Sequence, residues 1–114
     1  MVHRLSLALL LLLGCLLLGC LPRVQLAPEG GHGNDVAREV PYPPPPARVE
    51  ILPAPPHDDA VWVDGTWAWN GRDYQWQTGG WRLPSEDAYY APAKLLRRRN
   101  GMLLYLKGQW HEPR

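Results

Sequence analysis

A repeated spacing of tryptophan and glycine restricts the possible folds of this 114-residue chain more than any other feature. Trp62-Val63-Asp64-Gly65-Thr66-Trp67 and Trp76-Gln77-Thr78-Gly79-Gly80-Trp81 share the pattern W-x-x-G-x-W. Tyr105-Leu106-Lys107-Gly108-Gln109-Trp110 is a third copy with Tyr in the first place, and Tyr90-Ala91-Pro92-Ala93-Lys94-Leu95 is a degenerate fourth. A recurring unit of this length is one supersecondary element that must bury its apolar face against its neighbours. The copies fall in pairs, and each pair brackets an Asn-Gly, at Asn70-Gly71 and Asn100-Gly101. Asn-Gly is the strongest short hairpin signal, because type I′ turns need positive φ at both central residues. The expected fold is all-β: a small antiparallel sheet of two hairpins, about four strands, over residues 60–112.

Alternation sorts the side chains of the first hairpin, since residues two apart share a face. Val61, Val63, Trp67, Trp69, Tyr74 and Trp76 form one apolar face, and an even loop of two or four residues leaves that grouping unchanged. Trp62 and Trp81 fall on the polar face unless a bulge at each glycine turns them over. With a two-residue loop, Gly65 lies opposite Trp76 and Gly79 opposite Trp62, so that an indole covers each bare glycine backbone. The repeat positions Gly65, Trp67, Trp69, Tyr74, Trp76, Gly79, Tyr105 and Gly108 are therefore the expected core of the module. In the second hairpin the same reasoning puts Leu95, Leu104, Leu106 and Trp110 on one face with Arg97 and Arg99. Residues 93–98 also have helical propensity, but Pro92 and Asn100-Gly101 favour a strand.

Composition changes abruptly before the module. All six Trp follow Asp59, while most of the thirteen Pro precede Ala60. Residues 20–59 hold Pro41-Tyr42-Pro43-Pro44-Pro45-Pro46 and Pro53-Ala54-Pro55-Pro56, runs that favour polyproline II and are kept out of sheet interiors. They read as a disordered proline-rich tether, a spacer reaching at most about 120 Å. Within it, Val49-Glu50-Ile51-Leu52 has the character of an edge strand, and Pro43 to Pro46 that of a ligand for an aromatic groove. Residues 21–59 carry three basic and six acidic side chains and residues 60–114 eight and five. The offsets cancel, so no global field draws the chain to nucleic acid.

The N-terminus reads as an export signal. Leu5 to Gly19 is an uncharged, leucine-rich run after Arg4, too short for a membrane span of about 20 residues and suited to a signal peptide over residues 1–19. Leu17-Leu18-Gly19-Cys20 resembles the lipobox of bacterial lipoproteins, in which the cysteine is acylated and becomes the new N-terminus. Leu12-Leu13-Gly14-Cys15 has the same residue types, but cleavage there strands Leu16-Leu17-Leu18 on the mature chain, so Cys20 is preferred. Cys15 is then discarded, and no disulfide is available to the module. Covalent lipid on Cys20 is the only non-protein group expected, and the expected contact is with a membrane through that anchor. Leu21 after the cysteine, by the same resemblance, points to the periplasmic side of an outer membrane.

The module itself, Val61 to Trp110, resembles a family of bacterial proteins with W-x-x-G-x-W (Y-x-W-x-x-G-x-W) repeats, often lipoproteins with proline-rich linkers. Tyr74-Gln75-Trp76-Gln77-Thr78-Gly79-Gly80-Trp81 is the closest stretch. The family's proline before the repeat glycine is replaced by Asp64, Thr78 and Lys107. The resemblance implies architecture and location, with no established activity.

Functional residues are therefore sought among exposed aromatics. Trp62, Trp81 and Trp110 are the candidates for stacking on sugar rings of peptidoglycan or surface polysaccharide; the alternative partner is another envelope protein, bound at a sheet edge. Arg97-Arg98-Arg99 reads as a solvated run beside a turn. His57-Asp58-Asp59 and His111-Glu112 lack closed metal-site spacing. Ser85 is the only serine after the signal, with no histidine near it in sequence, so no catalytic residues are assigned and a non-catalytic role is expected.

Overall fold

A computed structural model describes residues 24–113, and within them every regular element is a strand. In chain order these are β1 (Arg38–Val40), β2 (Val61–Val63), β3 (Thr66–Trp69), β4 (Tyr74–Gln77), β5 (Gly80–Arg82), β6 (Tyr89–Ala91), β7 (Lys94–Arg97), β8 (Leu103–Leu106) and β9 (Gln109–His111). The protein is all-β, built from small antiparallel sheets of two or three strands. Residues 93–98 include the strand β7, not a helix.

Both predicted hairpins form, and both are interrupted at the same place. In the first, β3 pairs with β4 (Trp67 opposite Trp76, Trp69 opposite Tyr74) and β2 pairs with β5 (Trp62 opposite Trp81). In the second, β7 pairs with β8 (Leu95 opposite Tyr105) and β6 with β9 (Tyr90 opposite Trp110). The ladder opens at Asp64-Gly65 against Thr78-Gly79, and again at Pro92-Ala93 against Lys107-Gly108. The pairs on either side of each opening stay in step, so no one-residue bulge intervenes. The four strands expected are thus eight short ones, cut at Gly65, Gly79 and Gly108 and, in the degenerate copy, at Pro92-Ala93.

The turns set the register, and here the structure departs from the type I′ expectation. Asn70 N donates to Asp73 O at 3.1 Å, and positive φ occurs at Gly71 but not at Asn70. Asn70 uses its side-chain oxygen to accept from Arg72 N and Asp73 N, an Asx cap on the turn. Relative to an Asn70-Gly71 loop the pairing slides by two residues, which preserves the faces. Trp76 and Trp62 nevertheless cover Gly65 and Gly79, diagonally instead of directly.

In the second hairpin Arg98 N bonds Met102 O and Gly101 N bonds Arg98 O, both at 2.9 Å, leaving a three-residue loop with left-handed Gly101. An odd loop reverses the parity. Leu95 therefore shares a face with Leu103 and Tyr105, while Leu104 and Leu106 move to the other side, correcting the grouping predicted above.

Hairpin 1 lays its Trp67, Trp69 and Tyr74 against Leu103 and Tyr105 of hairpin 2. Tyr105 Oη donates to Trp67 O at 2.7 Å, and Gly108 N donates to Thr66 Oγ1 at 2.9 Å. The cluster is completed from outside the repeats by Val40, only 3 % exposed.

Residues 24–59, expected to be a spacer, are applied to the module as an arm. Trp62 N donates to Gln25 O and Ala27 N to Trp62 O; Tyr90 N donates to Pro28 O and Gly30 N to Tyr90 O. The arm thus runs parallel to β2 and then β6, touching the equivalent residue of each hairpin. Farther on, β1 adds an antiparallel edge to β8, with Val40 opposite Leu103. Backbone pairing drives both contacts, because the outer edges of β2, β6 and β8 present unpaired N–H and C=O groups that any extended segment can satisfy.

Candidate functional site

The repeat glycines create the chemistry of hairpin 1. Where the ladder opens, Gly65 N and Gly79 N have no cross-strand acceptor, and both turn to the Glu50 carboxylate of the arm. Gly65 N bonds Oε1 at 3.1 Å; Gly79 N bonds Oε1 at 3.0 Å and Oε2 at 3.1 Å. Two backbone N–H groups converging on a carboxylate make charge-assisted hydrogen bonds without any cationic side chain. Only glycine leaves room: a Cβ at Gly65 would run into Trp76 and Glu50, and one at Gly79 would lie 2.5 Å from Val63 O and 2.6 Å from the Trp62 ring.

Around this socket, three aromatic donors of hairpin 1 bind main-chain carbonyls of the proline-rich arm. Tyr74 Oη donates to Tyr42 O at 2.7 Å, Trp67 Nε1 to Pro46 O at 3.1 Å, and Trp81 Nε1 to Pro53 O at 2.9 Å. Arg48 lies over the Trp67 ring at 4.9 Å. Tyr42 meets Trp69 and Tyr74 edge-on, with ring centroids 5.7 Å away from each. An extended proline-rich chain has carbonyls it cannot satisfy internally, and aromatic rings with N–H or O–H donors match both its apolar surface and those acceptors. Hairpin 1 is therefore an aromatic polyproline groove whose occupant is the chain's own Tyr42–Pro53 segment.

The candidate aromatics are placed unequally. Trp62 is 5 % exposed, its ring over Gly79 and edge-on to Trp81 at 5.3 Å, with Nε1 bonded to Asp64 Oδ1; it offers no face to a ligand. Its burial follows from the missing Cβ of Gly79, which lets the indole fold onto the backbone. Trp81 and Trp110 are half-buried. Trp110 Nε1 is buried without an acceptor among the described residues. Trp67, Trp69, Tyr74 and Trp76 are partly exposed repeat residues, whereas Tyr105 is 3 % exposed and Gly108 is covered by the Tyr90 hydroxyl. Cys15 and Cys20 lie outside the described residues. Arg97, Arg98 and Arg99 are exposed around the second turn.

A cleft of about 350 Å³ separates the arm from the two hairpins, bordered by Arg48, Glu50, Trp62, Asp64, Trp76 and Tyr90. Burial, then the Asp64 carboxylate, pushes the Tyr90 phenol up to about 12. At the far side of the module, Asp35 Oδ2 lies 2.8 Å from both His32 Nδ1 and His111 Nε2. His32 Nε2 is 2.7 Å from Pro92 O, an acceptor only, so that ring nitrogen donates there. His111 stacks on Tyr89 at 4.8 Å. This cluster fastens the arm to the last strand. Among the described residues no group of three His, Cys, Asp or Glu side chains has metal-holding geometry.

Sequence reasoning offered Pro43 to Pro46 as a groove ligand but not its receptor, and gave no role to Glu50, Arg48, His32 or Asp35. The signal for Glu50 is its place between two proline runs, as the one acidic side chain in Ala47-Arg48-Val49-Glu50-Ile51-Leu52. No family model, curated protein or solved structure matches the chain.

Proposed function

We propose that this chain is a lipid-anchored, non-catalytic lipoprotein of the bacterial cell envelope, held by an acylated Cys20 at the periplasmic side of the outer membrane, with a structural or binding role and membership of the W-x-x-G-x-W repeat family. The observation that supports this reading is Leu17-Leu18-Gly19-Cys20 closing the uncharged leucine-rich run of Leu5 to Gly19; the docked arm then sets how far the module stands from such an anchor. Gln25, whose carbonyl already accepts from Trp62, is five residues beyond Cys20. At about 3.3–3.6 Å per residue the sheet then begins within roughly 20 Å of the acylated end. The module rests beside the bilayer and presents its other faces to the envelope. Two carboxylates of the arm are engaged in holding it to the module: Glu50 by the two glycines, Asp35 by His32 and His111.

Mass spectrometry of the membrane-extracted protein tests the anchor. The expected species begins at acylated Cys20; a chain retaining Met1, or one cut without lipid, overturns it. A second reading, saccharide stacking, is favoured by Trp81 and Trp110, which are both half-buried and occupy equivalent places opposite Trp62 and Tyr90 in the two outer ladders. Titration with peptidoglycan fragments while following indole emission checks it, and an unchanged spectrum at millimolar fragment removes it.

A further inference from the structure

The arm enters and leaves its groove by a reversal of direction. It meets Tyr74 beside the Asn70 turn, then Trp67, then the Gly65 and Gly79 socket, then Trp81 at the open end of hairpin 1. Val61, opposite Arg82, starts β2 at that same open end and heads back. Residues 54–60 make the U-turn. They contain adjacent Pro55 and Pro56, whose fixed φ favours an extended path, and a single backbone bond, Ala60 N to His57 O at 3.1 Å, closes the bend. A short hinge that resists its own reversal is the setting in which an element passes to another copy.

We propose that residues 54–60 open and that two copies of this chain exchange arms, each hairpin 1 groove receiving the Tyr42–Pro53 segment of the other copy. The second copy is the occupant because the groove reads features placed at fixed positions of this sequence: the carbonyls of Tyr42, Pro46 and Pro53 and the carboxylate of Glu50. None of these bonds requires covalent continuity with the hairpin they serve. Exchange remakes them all, together with the β1–β8 ladder and the His32–Asp35–His111 cluster, and alters only the hinge. A free arm is not a resting state, since withdrawing Val40 uncovers Leu103 and Tyr105. Confinement on a membrane would raise the encounter rate, but the exchange itself does not depend on the lipid anchor.

A disulfide trap tests this. Glu39 and Leu104 are cross-strand partners between β1 and β8. With Cys15 and Cys20 replaced by Ala, one full-length chain carries Glu39→Cys and another carries Leu104→Cys. The two are mixed in detergent solution and oxidised with glutathione disulfide. Arm exchange yields a covalent heterodimer, at least tenfold above the product from Glu39→Cys mixed with a Val36→Cys chain. A doubly substituted chain, Glu39→Cys with Leu104→Cys, shows that the pair can close. If that chain closes only within itself and the mixture stays monomeric, arm exchange is overturned. Hinge length gives an independent readout: deleting residues 55–58 raises the dimer fraction in sedimentation, and inserting three Gly-Gly-Ser units after Pro56 lowers it. An insertion that leaves the dimer fraction unchanged also counts against exchange.

Discussion

Gly79 and Gly80 are adjacent, yet the structure gives them opposite tolerances. A Cβ at Gly79 would meet Val63 O at 2.5 Å and Gly65 N at 2.8 Å, backbone atoms that cannot swing aside, whereas a Cβ at Gly80 has nothing within 4 Å. Gly79→Ala should lower stability by about 2–3 kcal/mol through overpacking and loss of the Glu50 socket. Gly80→Ala should fall between neutral and a gain of about 0.5–1 kcal/mol, since it restricts the unfolded chain. Urea unfolding of the two variants checks the contrast, and equal costs would contradict the socket geometry. Asp35 supplies a pH signature at the same scale. Burial alone would raise its pKa, but hydrogen bonds from His32 and His111, with their charge, bring it below the ordinary carboxylate value. A depressed carboxylate stabilises the fold above the unfolded pKa of about 3.9 and loses that contribution as pH falls through the lower folded value. The urea midpoint should therefore drop on acidification below about pH 4, and Asp35→Asn should remove that part of the drop.

Each hairpin is an inner ladder and an outer ladder separated by the repeat glycine. In both, the first aromatic of one copy shields the glycine of its partner copy: Trp62 over Gly79, Trp76 over Gly65, Tyr90 over Gly108. This reciprocity was legible in the W-x-x-G-x-W spacing, as was the shared face of Trp67, Trp69, Tyr74 and Trp76, because a shift of two residues leaves side-chain parity intact. The face of Leu104 and Leu106 was not legible, because one residue of loop length reverses it and Asn100-Gly101 fits loops of two or three residues. The seating of the arm was hidden for a different reason. Many of its contacts are made by main-chain carbonyls and edge N–H groups, which carry no residue-specific mark, and the side chains that join them, His32, Asp35, Val40, Tyr42, Arg48 and Glu50, follow no periodic pattern. Val40 gives the element-scale test. Val40→Ala should cost about 2 kcal/mol by leaving a void against Leu103 and Tyr105. Val36→Ala, at a side chain 83 % exposed, should stay within about 0.5 kcal/mol.

At the scale of the whole molecule, the buried apolar set among the described residues is short and depends on the arm. Apart from Val40 it consists of Ala60, Val61, Trp62, Val63, Ala88, Tyr90, Ala91, Leu103 and Tyr105, none less exposed than Val40 except Ala91. Three of these are alanines, so much of the apolar area comes from half-buried indoles whose outer faces the arm covers. The arm also pairs with the free edges of β2 and β6 through isolated bridges and of β8 through β1, bonding both hairpins to one stretch of chain. A fragment of some fifty residues with no cysteine to form a disulfide is near the limit of independent stability. A chain beginning at Ala60 should therefore fail to unfold cooperatively in urea, with water-like indole emission before denaturant is added. A chain beginning at Val24 should keep a single sharp transition and a blue-shifted emission. Adding the 24–59 peptide in excess to the shorter chain should restore part of that shift, because the contacts it makes are non-covalent. Cooperative unfolding of the shorter chain by itself would mean that the repeats form a finished core and that the arm is only laid upon it.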